Sequence, residues 1–154
     1  MHIRLYCVGK LRAGPEQTLV DDYASRFRKT GKGIGFRSFE VVELASGGGL
    51  EAEGVKLLSA LPNQGEFMRL DEQGPQWPSK TFAKQLERRR DDGISHLSFL
   101  IGGAEGYSPA VRAACPQTLA FGPQTWPHRL VRVLLVEQLY RAASLLSGSP
   151  YHKA

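Results

Sequence analysis

Leu100-Ile101-Gly102-Gly103-Ala104-Glu105-Gly106-Tyr107-Ser108-Pro109 is the stretch whose residue types and spacing most invite chemistry. A strand-like run stops at a Gly-Gly pair, and a Ser-Pro helix start follows within a few residues. Glycine lets a backbone approach a ligand closely and adopts φ values that other residues avoid. In an open α/β sheet, ligands settle at the carboxyl ends of strands, which is where this turn would lie. A dinucleotide turn would carry Gly-x-Gly-x-x-Gly and an acid about twenty residues on, to hold the ribose hydroxyls. Here the spacing is Gly-Gly-x-x-Gly and no Asp or Glu lies between Glu105 and Glu137, which disfavours NAD. No Gly-Lys-Ser/Thr follows, which excludes a Walker loop. Tight chain packing accounts for such a turn equally well, so its meaning depends on the residues beside it.

Three segments of the C-terminal third supply that context. Phe121-Gly122-Pro123-Gln124-Thr125-Trp126-Pro127-His128 holds two prolines and a glycine, which fix a rigid connection. Such a loop can offer backbone N–H and C=O groups to a purine edge, with Trp126 or Leu70 as an apolar wall; an ordinary connecting loop would read the same way. The run from Leu130 to Arg141 is apolar nearly all the way round, so it must be covered on more than one side. A homodimer interface would cover it, as would a central place in a monomer core. Glu137 and Arg141 stand four apart in the favourable order for an ion pair. The tail Gly148-Ser149-Pro150-Tyr151-His152-Lys153 brings together side chains able to stack on a base and touch a phosphate, or it is a frayed terminus.

These segments need a scaffold, and 154 residues are enough for one domain with a real core. Strand-like runs at 3–8, 36–44, 66–70, 97–101 and 118–121 alternate with helical patterns at 15–28, 50–61, 79 to about 93, 108–114 and 130–146. Alternation of this kind implies a mostly parallel sheet with helices on both faces. The lysine and glycine stretch 29–35 reads as a helix break, and Gly47-Gly48-Gly49 as a mobile loop. No linker or internal repeat divides the chain.

Charge and cysteine usage narrow the classes further. Of the net charge of +5, +4 falls between Gly106 and Ala154, where Glu137 is the only acid. A basic balance beside a candidate ligand turn suggests a polyanion such as RNA, though a solvated basic face would look alike. Cys7 and Cys115 are isolated, which argues against a disulfide framework or a zinc site. No window is apolar enough to span a bilayer and the N-terminus has no signal-peptide pattern, so the expected location is the cytoplasm.

The runs 100–109 (LIGGAEGYSP), 125–142 (TWPHRLVRVLLVEQLYRA) and 149–154 (SPYHKA) together resemble the bacterial RlmH family, small SPOUT-class methyltransferases that act on 23S rRNA. The likeness extends to Leu5–Gly9 and to Arg69-Leu70-Asp71, and so covers essentially the whole chain. It implies a single-domain α/β SPOUT fold with a C-terminal trefoil knot, a feature that general folding rules would argue against. It also implies S-adenosylmethionine (SAM) as methyl donor, N3 of pseudouridine 1915 in helix 69 of assembled ribosomes as acceptor, an obligate homodimer, and neither metal nor membrane.

Carried over residue by residue, the resemblance assigns the SAM site to Leu70, Gly102, Gly103, Gly122, Pro123, Gln124, Thr125, Trp126 and Pro127. His128, Tyr151 and His152 fall at positions linked to catalysis or RNA contact, and Arg129, Arg132 and Lys153 at positions for RNA binding. Two residues depart from the family pattern. Arg129 stands where a second proline is common in Pro-His-Pro-Leu-Val, and Lys153 where arginine is usual, which keeps the charge but loses bidentate phosphate geometry.

On this reading the chain positions an acceptor nitrogen in line with a methyl–sulfur bond, with the tail of a partner subunit clamping the base. His128, because an imidazole can serve as a general base or contact RNA, is the first candidate for either role, and His152 the second. A non-catalytic RNA- or ribosome-binding protein of the same fold is the alternative from another class, and SAM binding distinguishes the two. A flavodoxin-like oxidoreductase is a third reading, and it would need a cofactor signature that the sequence lacks.

Overall fold

The computed structural model describes residues 1–153, with the side chains of His152 and Lys153 outside that description. Five strands, β1 (His2–Val8), β2 (Ser38–Leu44), β3 (Glu66–Leu70), β4 (His96–Ile101) and β5 (Thr118–Leu119), form one sheet in the order β2-β1-β4-β3-β5. Every pairing is parallel. Between and after them run α1 (Pro15–Lys32), α2 (Leu50–Ala60), α3 (Ser79–Asp91), α4 (Pro109–Ala114) and α5 (His128–Ser147), followed by a 3-10 turn at Pro150–Lys153.

Strand periodicity builds the layers. On β1, Ile3, Leu5 and Cys7 enter one apolar core, while Tyr6 and Val8 enter another on the opposite face. The larger core holds Val20, Ala24 and Phe27 of α1, Phe82 and Leu86 of α3, and Leu135, Val136 and Leu139 of α5. The smaller is closed by Leu57 of α2 with Val111 and Cys115 at α4. Helices therefore cover both faces, as a buried parallel sheet requires. Helix α5 packs between α1 and α3, so most of its apolar surface is covered within the chain itself.

Differences from the sequence expectations have local causes. Helix α1 continues through Lys29–Lys32, because the buried Gly31 lets Phe36 approach its backbone: a Cβ there would stand 3.1 Å from that of Phe36. Tertiary packing outweighs the poor helix propensity of glycine. Helix α5 starts at His128 rather than Leu130, with Pro127 as its N-cap. Strand β5 has two residues instead of four, since Ala120 makes only an isolated bridge, to Gln76, before the chain turns away. All three glycines at 47–49 have positive φ, and the Gly47 N–H donates to the Glu53 carboxylate at 2.8 Å, so this segment is a shaped helix entry.

Candidate functional site: two cavities at the carboxyl edge of the sheet

Three strand ends meet at the carboxyl edge of the sheet, and a cavity of about 340 Å³ opens there. Its apolar walls are Leu70 at the end of β3, Ile101 at the end of β4, Leu119 at the end of β5, and Val131 of α5. The β4–α4 turn, Gly102 to Tyr107, forms one side, and Phe121, Gly122, Gln124, Thr125, Trp126 and His128 form the other. The volume falls in the range of small-molecule sites.

A charge network borders this cavity, with Asp71, Tyr107 and Arg112 in its lining and Arg69 outside it. Arg69, 5% exposed, donates from Nε to the Cys115 carbonyl at 2.6 Å and from Nη1 to Asp71 at 3.0 Å. Its guanidinium also lies 5.1 Å from the centre of the Tyr107 ring. The Tyr107 hydroxyl stands 2.7 Å from the Leu100 carbonyl and 2.9 Å from that of Leu70, donating to one of the two. It thus stands between the ends of β3 and β4, and burial pushes its phenol well above its ordinary value. Asp71 accepts further from Arg112 at 3.3 Å and from the Gln73 N–H at 3.1 Å. Partial burial alone would raise its carboxyl; the Gln73 N–H and the cations of Arg69 and Arg112 outweigh that and hold it below the ordinary value.

The two glycine segments serve different needs. A Cβ on Gly102 would stand 2.7 Å from the Gly106 carbonyl oxygen, so the turn's own backbone requires glycine there. Gly122 has open space around it but a φ of 100°, so its requirement is conformational. The 121–127 loop is braced by Trp126, whose indole N–H donates to the Phe121 carbonyl at 3.1 Å, and by Thr125, whose hydroxyl donates to Glu72. Among the described residues, the backbone N–H groups of Gly122, Gln124 and Thr125 have no backbone acceptor. Free donors beside apolar walls suit the edge and faces of an adenine, so the cavity fits a nucleoside-bearing cofactor.

A second cavity, of about 640 Å³, adjoins the first. It is lined by the β1–α1 loop from Gly9 to Gly14, by the starts of α1, α2 and α5, and by Gly103, Ala104 and Glu105. Gly103, Ala104, Glu105 and His128 line both cavities and so form a shared wall. His128 is exposed at the first position of α5.

The structure thus brings together Leu70, Gly102, Gly103, Gly122, Gln124, Thr125, Trp126 and His128, while Pro123 and Pro127 shape the loop without lining the cavity. Arg129 is exposed, 3.5 Å from Glu16 at the start of α1. Arg132, expected at an RNA-binding position, lines the second cavity rather than standing free on the surface. It is 5% exposed, ion-paired with Glu43, and donates to the Gly9 carbonyl at 3.1 Å. Tyr151 is not in this cavity either. Its ring packs on Tyr140 with centroids 4.5 Å apart, and its hydroxyl donates to Glu137 at 3.0 Å. Glu137 also accepts from Arg141 at 2.6 Å, the pair the helix spacing predicts. His152 and Lys153 lie outside the described side chains.

The sequence reading missed Arg69 as a structural cation, Tyr107 between the strand ends, and the β1–α1 loop as a cavity wall. An arginine inside the apolar run of β3 was the available signal for the first.

Residues 1–152 match the family described as "Predicted SPOUT methyltransferase". A Hyphomonas neptunium protein named ribosomal RNA large subunit methyltransferase H is 56% identical over 154 residues, all of both chains. A protein of the same name from Dinoroseobacter shibae is 48% identical over 99% of each. In shape, the chain is similar to a probable methyltransferase from Bordetella pertussis, with a TM-score of 0.54 and 14% identity over 92% of this chain and 93% of that one.

Proposed function

The chain belongs to the SPOUT methyltransferase family, and from that premise we propose that it transfers a methyl group from SAM to large-subunit ribosomal RNA in the cytoplasm. The acceptor is N3 of the pseudouridine in helix 69 of the 23S rRNA, in assembled ribosomes. The observation that carries this reading is the cavity at the ends of β3, β4 and β5, walled by Leu70, Leu119 and the 121–127 loop, in a chain 56% identical to a named rRNA methyltransferase.

When bound, SAM supplies an electrophilic methyl group on a sulfonium. The residues that would hold it are Gly122, Gln124 and Thr125, through their free backbone N–H groups, with Leu70 and Leu119 as apolar walls and the Gly102–Gly106 turn beside them. Catalysis by this chain is then positioning: the acceptor nitrogen is held in line, and its imide proton must leave. His128, on the wall shared by the two cavities, stands where a base or an RNA contact would act.

The working unit is a homodimer. Trp126 and Leu130 beside the site are 40 and 38% exposed, apolar surface that a second copy would cover. Tyr151 is anchored at Tyr140, which is about 18 Å along α5 from His128 at the helical rise. A tail contribution to the cavity therefore comes from a second copy, and the tail's basic end meets the rRNA.

Mass mapping of rRNA from a strain lacking this protein, before and after complementation, tests the reading. One methyl group should be absent from the helix 69 fragment and return with the wild-type gene. An rRNA fragment with the same mass in both strains sinks it.

A further inference from the structure

We propose that the second cavity receives the acceptor nucleotide, with the RNA phosphodiester backbone held by Lys10 and Arg12 of the β1–α1 loop. The inference rests on the rRNA-methyltransferase reading and names the substrate site within it.

Position is the first ground. The cavity lies at the ends of β1 and β4, adjacent strands whose following helices lie on opposite faces of the sheet. Such a switch point is where parallel sheets bind ligands. It shares a wall with the first cavity (Gly103, Ala104, Glu105 and His128), so the two adjoin where a methyl group would pass between them.

Charge is the second ground. Lys10 and Arg12 are exposed, line only this cavity, and have no ion-pair or hydrogen-bond partner among the described residues. Arg129 is held only loosely by Glu16. Glu43, which accepts from the Leu11 N–H between the two cations and lies in the field of Lys10, is already paired with Arg132. Glu16 faces Arg129, while Glu53 and Glu105 sit at the Gly103 side: Glu53 Oε1 lies 3.1 Å from where a Gly103 Cβ would be. Cations at the loop end and acids at the cofactor end match a nucleotide whose phosphates are anionic and whose base edge carries an N–H donor.

Unmet donors are the third ground. Helices α1, α2 and α5 all begin at this cavity, and none has a side-chain N-cap. Glu16 already stands in the first turn of α1 and Glu51 and Glu53 in that of α2, whereas α5 has no acid there, so it is the α5 start whose free N–H groups and dipole favour an anion. Arg132, 95% buried and lining the same cavity, keeps its Nε without a hydrogen-bond partner. Glu43 and the Gly9 carbonyl orient its remaining nitrogens.

The test is co-sedimentation with ribosomes from the deletion strain, in S-adenosylhomocysteine, across a range of potassium chloride. The Lys10→Ala/Arg12→Ala variant should bind SAM like the wild type and keep its oligomeric state. Its ribosome affinity should fall about tenfold or more at moderate salt, with a salt slope shallower by roughly 1 to 2, as expected for two lost phosphate contacts. Lys84→Ala, on the exposed face of α3, should leave both unchanged. Unaltered affinity and slope in the double variant would overturn the site, as would an equal loss in Lys84→Ala. A wild-type protein that binds SAM but no ribosomal RNA would overturn the proposed function itself, and the site with it.

Discussion

Two arginines are buried beside two adjoining cavities, and they are used differently. Arg69 spends its donors inside the protein: on the Cys115 carbonyl, on Asp71, and against the Tyr107 ring. It does not line the first cavity. Arg132 is as deeply buried and is also paired with a carboxylate, Glu43, yet it borders the second cavity and leaves Nε unmatched. Arg69 bonds a carbonyl and a carboxylate of its own chain, a structural role that fixes strand ends so that apolar walls and backbone groups can bind a ligand beside them. Arg132 keeps a buried Nε without a partner and lines the cavity beside the basic loop proposed to hold the RNA backbone. The first cavity should therefore fail by losing shape, and the second by losing charge.

The largest test of that contrast is Arg69→Met. Removing one member of a buried pair typically costs about 3 to 5 kcal/mol, because the partner groups keep their desolvation without compensation. Here the Cys115 carbonyl loses its donor, while Asp71 retains Arg112. The expected loss is at the lower end, about 3 kcal/mol, read from urea unfolding. A change below about 1 kcal/mol would mean that Arg69 does not anchor the strand ends.

His128→Ala probes the wall that the cavities share. The side chain is exposed and makes no hydrogen bond among the described residues, so stability should be unchanged. Loss of a general base or acceptor contact should lower methylation kcat about a hundredfold, the usual scale of such groups. SAM affinity by calorimetry should stay nearly intact. Full turnover would remove His128 from the mechanism; a parallel loss of SAM affinity would move it to the cofactor side.

Gly102→Ala separates packing from ligand approach. The new methyl would meet the Gly106 carbonyl at 2.7 Å, so the turn must shift before any ligand arrives. SAM affinity should fall about tenfold, since displacements well under 1 Å weaken an oriented site appreciably. Wild-type affinity would show that the turn relaxes away from the cavity.

Much of this architecture was legible because it follows from periodicity. Ile3, Leu5 and Cys7 against Tyr6 and Val8 announce a strand buried on both faces, and the alternation of strands with helices announces a parallel sheet. The Gly102–Gly106 turn and the 121–127 loop were legible as site walls because glycine and proline mark unusual backbone. What was not legible depends on contacts between residues remote in sequence. Arg132 reads as one more basic residue until Glu43, 89 positions away, is folded against it. The 29–35 stretch reads as a break because glycine disfavours helix, and only the approach of Phe36 reverses that. The β1–α1 loop, Lys10 to Gly14, has no motif at all; it becomes a wall when three helix starts converge on it.

Acid titration gives the smallest and most diagnostic difference, because each cavity has beside it one carboxylate held below its ordinary value. Glu43, like Asp71, would be raised by burial alone, but the Leu11 N–H and the Arg132 guanidinium outweigh that. A carboxylate whose folded value is depressed contributes stability that is fully present above its unfolded value, about 4, and lost as pH falls through the folded one. Urea midpoints should therefore be level near neutrality and decline below about pH 4. Asp71→Asn and Glu43→Gln should each flatten part of that decline. If the two carboxylates are independent, their effects add, as expected for sites that share no partner. A double variant no flatter than either single one would show that both arginines belong to one coupled network, and would dissolve the distinction between the two cavities.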